Sequence, residues 1–404
     1  MNLKIFSLIL ILNSFSAGIL IPVMTLLLLN KELSLSQVTL LLGLYSLIVI
    51  VLEIPTGVAA DLLGRKRIFI FSLCSLLITL VIMFMFNDII MLMVAFIFYG
   101  ISRALSSGSL DALYIDWHSD ICGKENLAKA MTSLSIIETI GLAFGSIIGG
   151  ILPSFSQKHF TKIGIYDLNI IIKLILTSIV VILTLLFVKE YDLVKKSKKV
   201  SLKKHLKTNI SIVKSNKILL LIFASVFSTG FFLFLLETYW QPHLVNLINN
   251  DDMLWILGIV SGLYLISTMF GNLLSEKLKI KYKLSPLKLY KISRILLALV
   301  MVIMAVQNNY LSFIAFYALI YLLFGISNIP EGVIINSIAP SENRSSILSF
   351  NSLTVQLGSL AASFISSFLI KYISISFIWI VGAVGVILTI TLLIFKSREI
   401  EDIY

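Results

Sequence analysis

Apolar residues run along this chain in stretches of about 20, long enough to cross bilayer hydrocarbon as helices, with short polar segments between them. Twelve such spans are legible, at residues 5–28, 36–59, 67–87, 89–116, 130–152, 167–188, 218–240, 254–275, 286–306, 311–337, 346–370 and 375–395. The pattern predicts an all-α membrane protein whose two ends share one face. The single long polar stretch, 189–217, contains Lys195-Lys196-Ser197-Lys198-Lys199 and separates a six-span bundle at 1–188 from another at 218–396, followed by a tail at 397–404. It reads as a basic, solvated linker with a short amphipathic piece on the membrane surface. Residues 1–20 have the form of a secretory leader, but the apolar run continues to Leu29, so an uncleaved first span is expected.

Charge sets the orientation. With this span order one face holds 25 of the lysines and arginines and the other only Lys31, Lys158, Lys162 and Lys371, which makes the cation-rich face cytoplasmic. The expected location is the cell membrane, multi-pass, with both termini inside. A content of 58% hydrophobic and 13% charged residues and a mean hydropathy of +1.01 are far from those of a soluble domain. The net charge of +11 is then a signal of topology, with attraction to anionic membrane lipids as its by-product, and not a nucleic-acid footprint. Cys74 and Cys122 offer neither a disulfide framework nor metal spacing. His118, His159, His205 and His243 are scattered without catalytic or ligand spacing, so no enzyme, metal or cofactor is expected.

Between spans 2 and 3 stands Gly57-Val58-Ala59-Ala60-Asp61-Leu62-Leu63-Gly64-Arg65-Lys66-Arg67, small and charged amid apolar sequence. Its glycines let helix ends approach, and its charges suit neighbouring helix ends. The stretch resembles the G-x-x-x-D-x-x-G-R-K/R loop of the major facilitator superfamily, matched at Gly57, Asp61, Gly64, Arg65 and Lys66. The resemblance implies a transporter built as two pseudo-symmetric six-helix bundles, working by alternating access, with a latch at the cytoplasmic face. In that family the loop arginine pairs with an acid at the end of span 4. By spacing to Glu125-Asn126 that acid is Asp120, with Asp116, one turn earlier, as the alternative. Asp61 is expected to face the start of span 11 near Ser345 and Ser346.

The halves echo one another. At an offset of 217, Gly108 meets Gly325, Asp116 meets Val333, and Glu125-Asn126 meets Glu342-Asn343; at 214, Gly57 meets Gly271 and Asp61 meets Ser275. Such a duplication places the substrate site near the bilayer midplane. Span 5 carries glycines at 141, 145, 149 and 150, a stripe suited to close helix packing. It also resembles the superfamily's exporter motif G-x-x-x-G-P-x-x-G-G, with Ser146 in place of the proline. Arg103 and Gly108 on span 4 resemble its intramembrane arginine motif, linked to proton transfer.

Ionisable residues inside spans are costly and face cavities or partners. They are Glu53, Arg103, Asp111, Asp116, Glu138, Glu237 and Glu331, of which Arg103, Asp111, Glu138, Glu237 and Glu331 are candidates for a proton and substrate cavity. Arg103, Ser107 and Asp111 recur every four residues on one face, with Arg103 and Asp111 about 12 Å apart along a straight helix. Tyr239, Trp240, Tyr264, Tyr317 and Tyr321 are candidates for an aromatic pocket, against the commoner interfacial role of such rings. No nucleotide-binding glycine loop is present in the sequence, so ATP is not the expected driver. The reading is a monomeric secondary transporter that exports small amphipathic compounds against protons. An importing symporter or uniporter is the alternative, and a transport-inactive sensor or scaffold a distant one.

Overall fold

The computed structural model describes residues 3–107, 109–123, 127–160, 163–190, 216–250, 253–338 and 344–401. They form fourteen helices: α1 (Leu3–Gly18), α2 (Met24–Asn30), α3 (Leu35–Leu63), α4 (Arg65–Met85), α5 (Ile89–Ser106), α6 (Ser109–Cys122), α7 (Leu127–His159), α8 (Asp167–Phe187), α9 (Lys217–Ile248), α10 (Ile256–Tyr282), α11 (Pro286–Ala305), α12 (Tyr310–Ile338), α13 (Arg344–Leu369) and α14 (Ile375–Glu401). Local chemistry sets their ends. Ser34 and Gln37 form a capping box on α3, Asp88 accepts from Ile90 and Met91 at the start of α5, and Ser285 caps α11 with Pro286 in its first turn.

Fourteen helices make twelve spans because two spans are broken. The first stops at Gly18 and restarts at Met24. Pro22 lacks an amide for the ladder, and tight bonds from Ile21 N to Gly18 O and from Val23 N to Leu20 O turn the chain instead. The fourth is interrupted between Ser106 and Ser109, where Ser106 Oγ donates to Arg103 O and Ser109 Oγ to Ser106 O; Gly108 itself lies outside the described residues. Ten helical runs among the described residues are long and apolar enough to cross a membrane. The other two spans are the short apolar α1 with α2, and α11, which carries Lys288, Lys291 and Arg294.

The surface chemistry is that of a protein solvated by lipid. Ile182, Leu186, Phe364 and Leu388 are exposed, whereas Ser14, Ser16, Asn169, Thr177, Ser225 and Ser228 are buried. Buried hydroxyls and amides bond across helices: Asn169 Nδ2 donates to Ile19 O and Gly149 O, and Ser16 Oγ pairs with Thr177 Oγ1. Two compact units result, Met1–Lys198 with Asn250–Gly262, and Lys199–Asn249 with Leu263–Tyr404. Residues 191–215, most of the expected linker, lie outside the described residues.

Packing within each unit repeats. In the first, α1 packs on α7 and α8, and α5 on α3 and α4; in the second, α9 packs on α13 and α14, and α11 on α12 and α14. The repeat is visible atom by atom. Ser146 Oγ donates to Gly18 O, and Ser359 Oγ to Gly230 O. Thr56 Oγ1 donates to Ala104 O, and Ser275 Oγ to Ile326 O. Tyr45 lies on Tyr99 with centroids 4.8 Å apart, and Tyr264 on Tyr321 with centroids 4.7 Å apart. These twins fix the offsets at 219 residues for the second span and 222 for the fourth. The values of 214 and 217 read from glycines and acids are corrected accordingly, and Ser275 is the counterpart of Thr56, not of Asp61.

The glycine stripe of α7 is an interface. A side chain at Gly145 would meet the Phe15 carbonyl, one at Gly149 the Ile19 carbonyl, and Gly150 abuts Gly258. Gly145→Ala is therefore expected to destabilise the protein by about 1–3 kcal/mol through overpacking, whereas Gly385→Ala, with open space around it, is not. Thermal unfolding of the two purified variants side by side checks the difference.

Candidate functional site

The first unit holds two polar clusters. One surrounds the hairpin of residues 57–67, which is almost wholly helical: α3 runs on to Leu63, and Gly64 alone makes the turn with φ 97°. Only glycine takes that backbone without strain, and a Cβ there would also collide with the carboxylate of Glu190. Glu190, just past α8, accepts from Lys66 N at 3.1 Å and Arg67 N at 3.4 Å, so it satisfies amides that the start of α4 leaves open. Lys66 Nζ donates to Leu185 O at 3.1 Å, and Trp117 Nε1 to Lys189 O at 3.3 Å. Arg65 forms an ion pair with Asp116 on α6, both half-buried.

The acid paired with Arg65 is thus Asp116. Asp120, favoured by spacing, sits one turn further along α6 and is exposed. Gly57, expected to admit a neighbouring helix, has no described atom near the place of a Cβ. The side chains of Asp61, Ser345 and Ser346, and residues Glu125-Asn126 and Glu342-Asn343, lie outside what is described.

The second cluster is the membrane-embedded set Arg103, Asp111 and Glu138. Breaking span 4 places Arg103 on α5 and Asp111 on α6, so they are not two points on one straight helix. Asp111 and Glu138, on α6 and α7, lie within hydrogen-bonding reach of one another, and Arg103 is within electrostatic range of both. Arg103 is exposed and the two acids are half-buried. Tyr99, paired with Tyr45, stands beside Arg103.

In the second unit the two candidate acids part company. Arg294 Nη2 donates to Glu331 Oε2 at 2.7 Å, and the guanidinium, 1% exposed, lies 5.2 Å from the Tyr290 ring and 5.4 Å from the Phe324 ring. Glu331 therefore has a fixed cation partner and serves to hold α12 to α11. Glu331→Gln is expected to cost about 3–5 kcal/mol by stranding a buried guanidinium, which a lowered unfolding temperature would report. Glu237, on α9, instead accepts from Tyr321 Oη at 3.4 Å and is exposed, beside Tyr264 and Tyr317. The rings behind it interlock: Tyr317 is 5.1 Å from Tyr321 and 5.3 Å from Trp240, both buried.

The sequence profile of the Major Facilitator Superfamily matches residues 6–287 and 248–402. The chain belongs to the major facilitator superfamily. It is 24% identical over 262 residues to an uncharacterized MFS-type transporter, YxaM, of Bacillus subtilis (strain 168), a match covering 62% of this chain and 61% of that protein. It is 28% identical over 193 residues to the tetracycline resistance protein, class H, of Pasteurella multocida, covering 47% of this chain and 44% of that protein. The matches thus span less than two thirds of either relative. Among solved structures, the nucleoside transporter NupG superposes with a TM-score of 0.81 at 14% identity, over 98% of this chain and 100% of that one. A bacterial homologue of the human lysosomal transporter Spinster, inward-facing and occupied, gives 0.74 at 14% identity, over 98% and 96%. These likenesses establish the fold: twelve transmembrane helices in two pseudo-symmetric six-helix bundles.

For this superfamily member, sequence reasoning missed Glu190 and Trp117, whose partners are set only by the turn at Gly64 and the packing of α6 and α8. It named Tyr264 and Tyr321 for an aromatic pocket but missed that they form a pair with a twin, Tyr45–Tyr99, in the first half. A signal existed there: each pair recurs at 219 and 222 residues.

Proposed function

We propose that this major facilitator is a proton-coupled exporter of small amphipathic molecules, a monomer in the cell membrane with both termini in the cytoplasm. The observation that carries the coupling is the meeting of Asp111 and Glu138 near Arg103. Two carboxyl groups in hydrogen-bonding reach hold one proton between them, because a second negative charge at that distance is disfavoured and the shared hydrogen bond requires a donor. As access alternates, such a pair loads a proton on one side and releases it on the other. The direction is supported by the tetracycline resistance relative and by the span 5 stripe, Gly141, Gly145, Gly149 and Gly150. Gly57, Asp61, Gly64, Arg65, Lys66 and Asp116 belong, in this reading, to the latch that holds one access state.

The test is transport in inverted membrane vesicles with an acid interior, scanned across a panel of amphipathic compounds. Accumulation in the lumen that collapses with the pH gradient is the expected result. Accumulation only in right-side-out vesicles under an inward proton gradient would establish the importing alternative instead.

A further inference from the structure

The two halves share a tyrosine pair and differ in the charge beside it. In the first, Tyr45 and Tyr99 are tilted at 36°, and Tyr99 stands within electrostatic range of Arg103. In the second, Tyr264 and Tyr321 keep nearly the same geometry at 38°, but at the 222-residue offset the counterpart of Arg103 is Gly325. The ionisable group beside this second pair is a carboxyl group, Glu237, held by the Tyr321 hydroxyl. Among the described residues no lysine, arginine or histidine forms an ion pair with Glu237.

Depth places this group inside the bilayer. Glu237 lies 11 residues from the end of α9, Tyr264 8 from the start of α10 and Tyr321 11 from the start of α12. At about 1.5 Å of rise per residue all three sit some 12–17 Å along their helices from those ends, near the middle of a core about 30 Å thick. An accessible carboxylate at that depth, walled by rings, calls for a positive partner that is weakly hydrated. Tyrosine faces attract such cations through the ring quadrupole, and more strongly where water is excluded. Hard metal ions do not fit, because one carboxylate among phenols supplies too few of the six or more oxygens they require. No cluster of three His, Cys, Asp or Glu residues occurs among the described residues.

We propose that Glu237, Tyr264 and Tyr321 form a recognition site for a monovalent organic cation with an apolar body. The assignment rests on reading the chain as a small-molecule transporter, and it divides the labour: substrate charge is read in the second half and the proton is carried by Asp111 and Glu138 in the first. Cation and carboxylate pair while the rings take up the apolar body, so charge and hydrophobic bulk are recognised together.

Equilibrium binding to the purified full-length protein tests this, with tetraphenylphosphonium as the cation and triphenylphosphine oxide as a neutral compound of similar bulk. The cation is expected to bind, and the neutral compound roughly tenfold or more weaker, as loss of a charge-assisted contact implies. Glu237→Gln should weaken the cation by roughly tenfold and leave the neutral compound unchanged. Tyr264→Ala should weaken the cation about two- to fivefold while Tyr264→Phe does not, because the ring face and not the hydroxyl makes the contact. Glu237→Asp, which keeps the charge, should keep the preference for the cation, and guards against misreading a poorly folded amide variant. Equal binding of the two compounds by the wild type, or undiminished cation affinity in Glu237→Gln, overturns the proposal. Binding needs no pH gradient. Cation binding without proton exchange would sustain the site and sink the proton-coupled reading, and pH-driven transport of neutral compounds with no cation binding would do the reverse.

Discussion

Arg65→Ala should abolish transport while leaving the protein in the membrane at wild-type levels. Arg65 is the hairpin cation that reaches across to α6, where its partner Asp116 is half-buried. Neither residue belongs to the apolar core, so their loss spares packing, and on the latch reading proposed above it alters the balance between access states. Contacts made in one state and not the other are typically worth about 5–150-fold in population. A loss of that order traps a transporter on one side. Asp61→Asn is expected to have the same outcome through the other arm of the latch, whereas Asp120→Asn, on an exposed side chain, should be mild. Vesicle transport rates and cysteine accessibility from each side are the measurements, in a background with Cys74 and Cys122 replaced by serine. Wild-type rates in both Arg65→Ala and Asp61→Asn would remove the latch from the account.

The second large effect concerns coupling. Asp111→Asn and Glu138→Gln each leave one carboxyl group where the proposed coupling has two sharing a proton, and neither disturbs an apolar contact that holds α6 to α7. Downhill exchange of substrate should therefore persist in both. Accumulation against a gradient driven by pH should fall at least about tenfold, since one ionisable group can no longer trade its proton with its neighbour. Glu331→Gln provides the contrast: its carboxylate is bound to Arg294, so its replacement should lower stability rather than uncouple transport. Retention of uphill, pH-driven transport by both first-half variants would place coupling elsewhere.

Much of the fold was legible because lipid constrains sequence so tightly. A span must be long and apolar, so the spans are readable from composition. What stayed hidden was whatever hydropathy does not register. Pro22 and the Ser106–Ser109 segment interrupt helices inside runs that remain apolar overall, so spans 1 and 4 read as unbroken. The repeat was visible, but matching single glycines and acids gave offsets five residues short of those fixed by the tyrosine and hydroxyl pairs. Glu331 read as a cavity candidate with its partner unidentified, because that partner lies 37 residues away on the preceding span and nothing local announces the pairing. Asp111 and Glu138 were marked as separate candidates, because nothing local in the sequence shows that residues of two different helices come together.

The cap on α4 has a consequence for how the protein is made. Lys66 and the Glu190 carboxylate that receives its amide are 124 residues apart, with α4 itself and three further spans between them. During synthesis the start of α4 enters the membrane long before its capping group leaves the ribosome, and until then its first amides have only water or lipid headgroups to bond. The hairpin reaches its finished form only when the last span of the first bundle is in place. Insertion of the first half thus carries its own completion signal, delivered by the residue that opens the connection to the second.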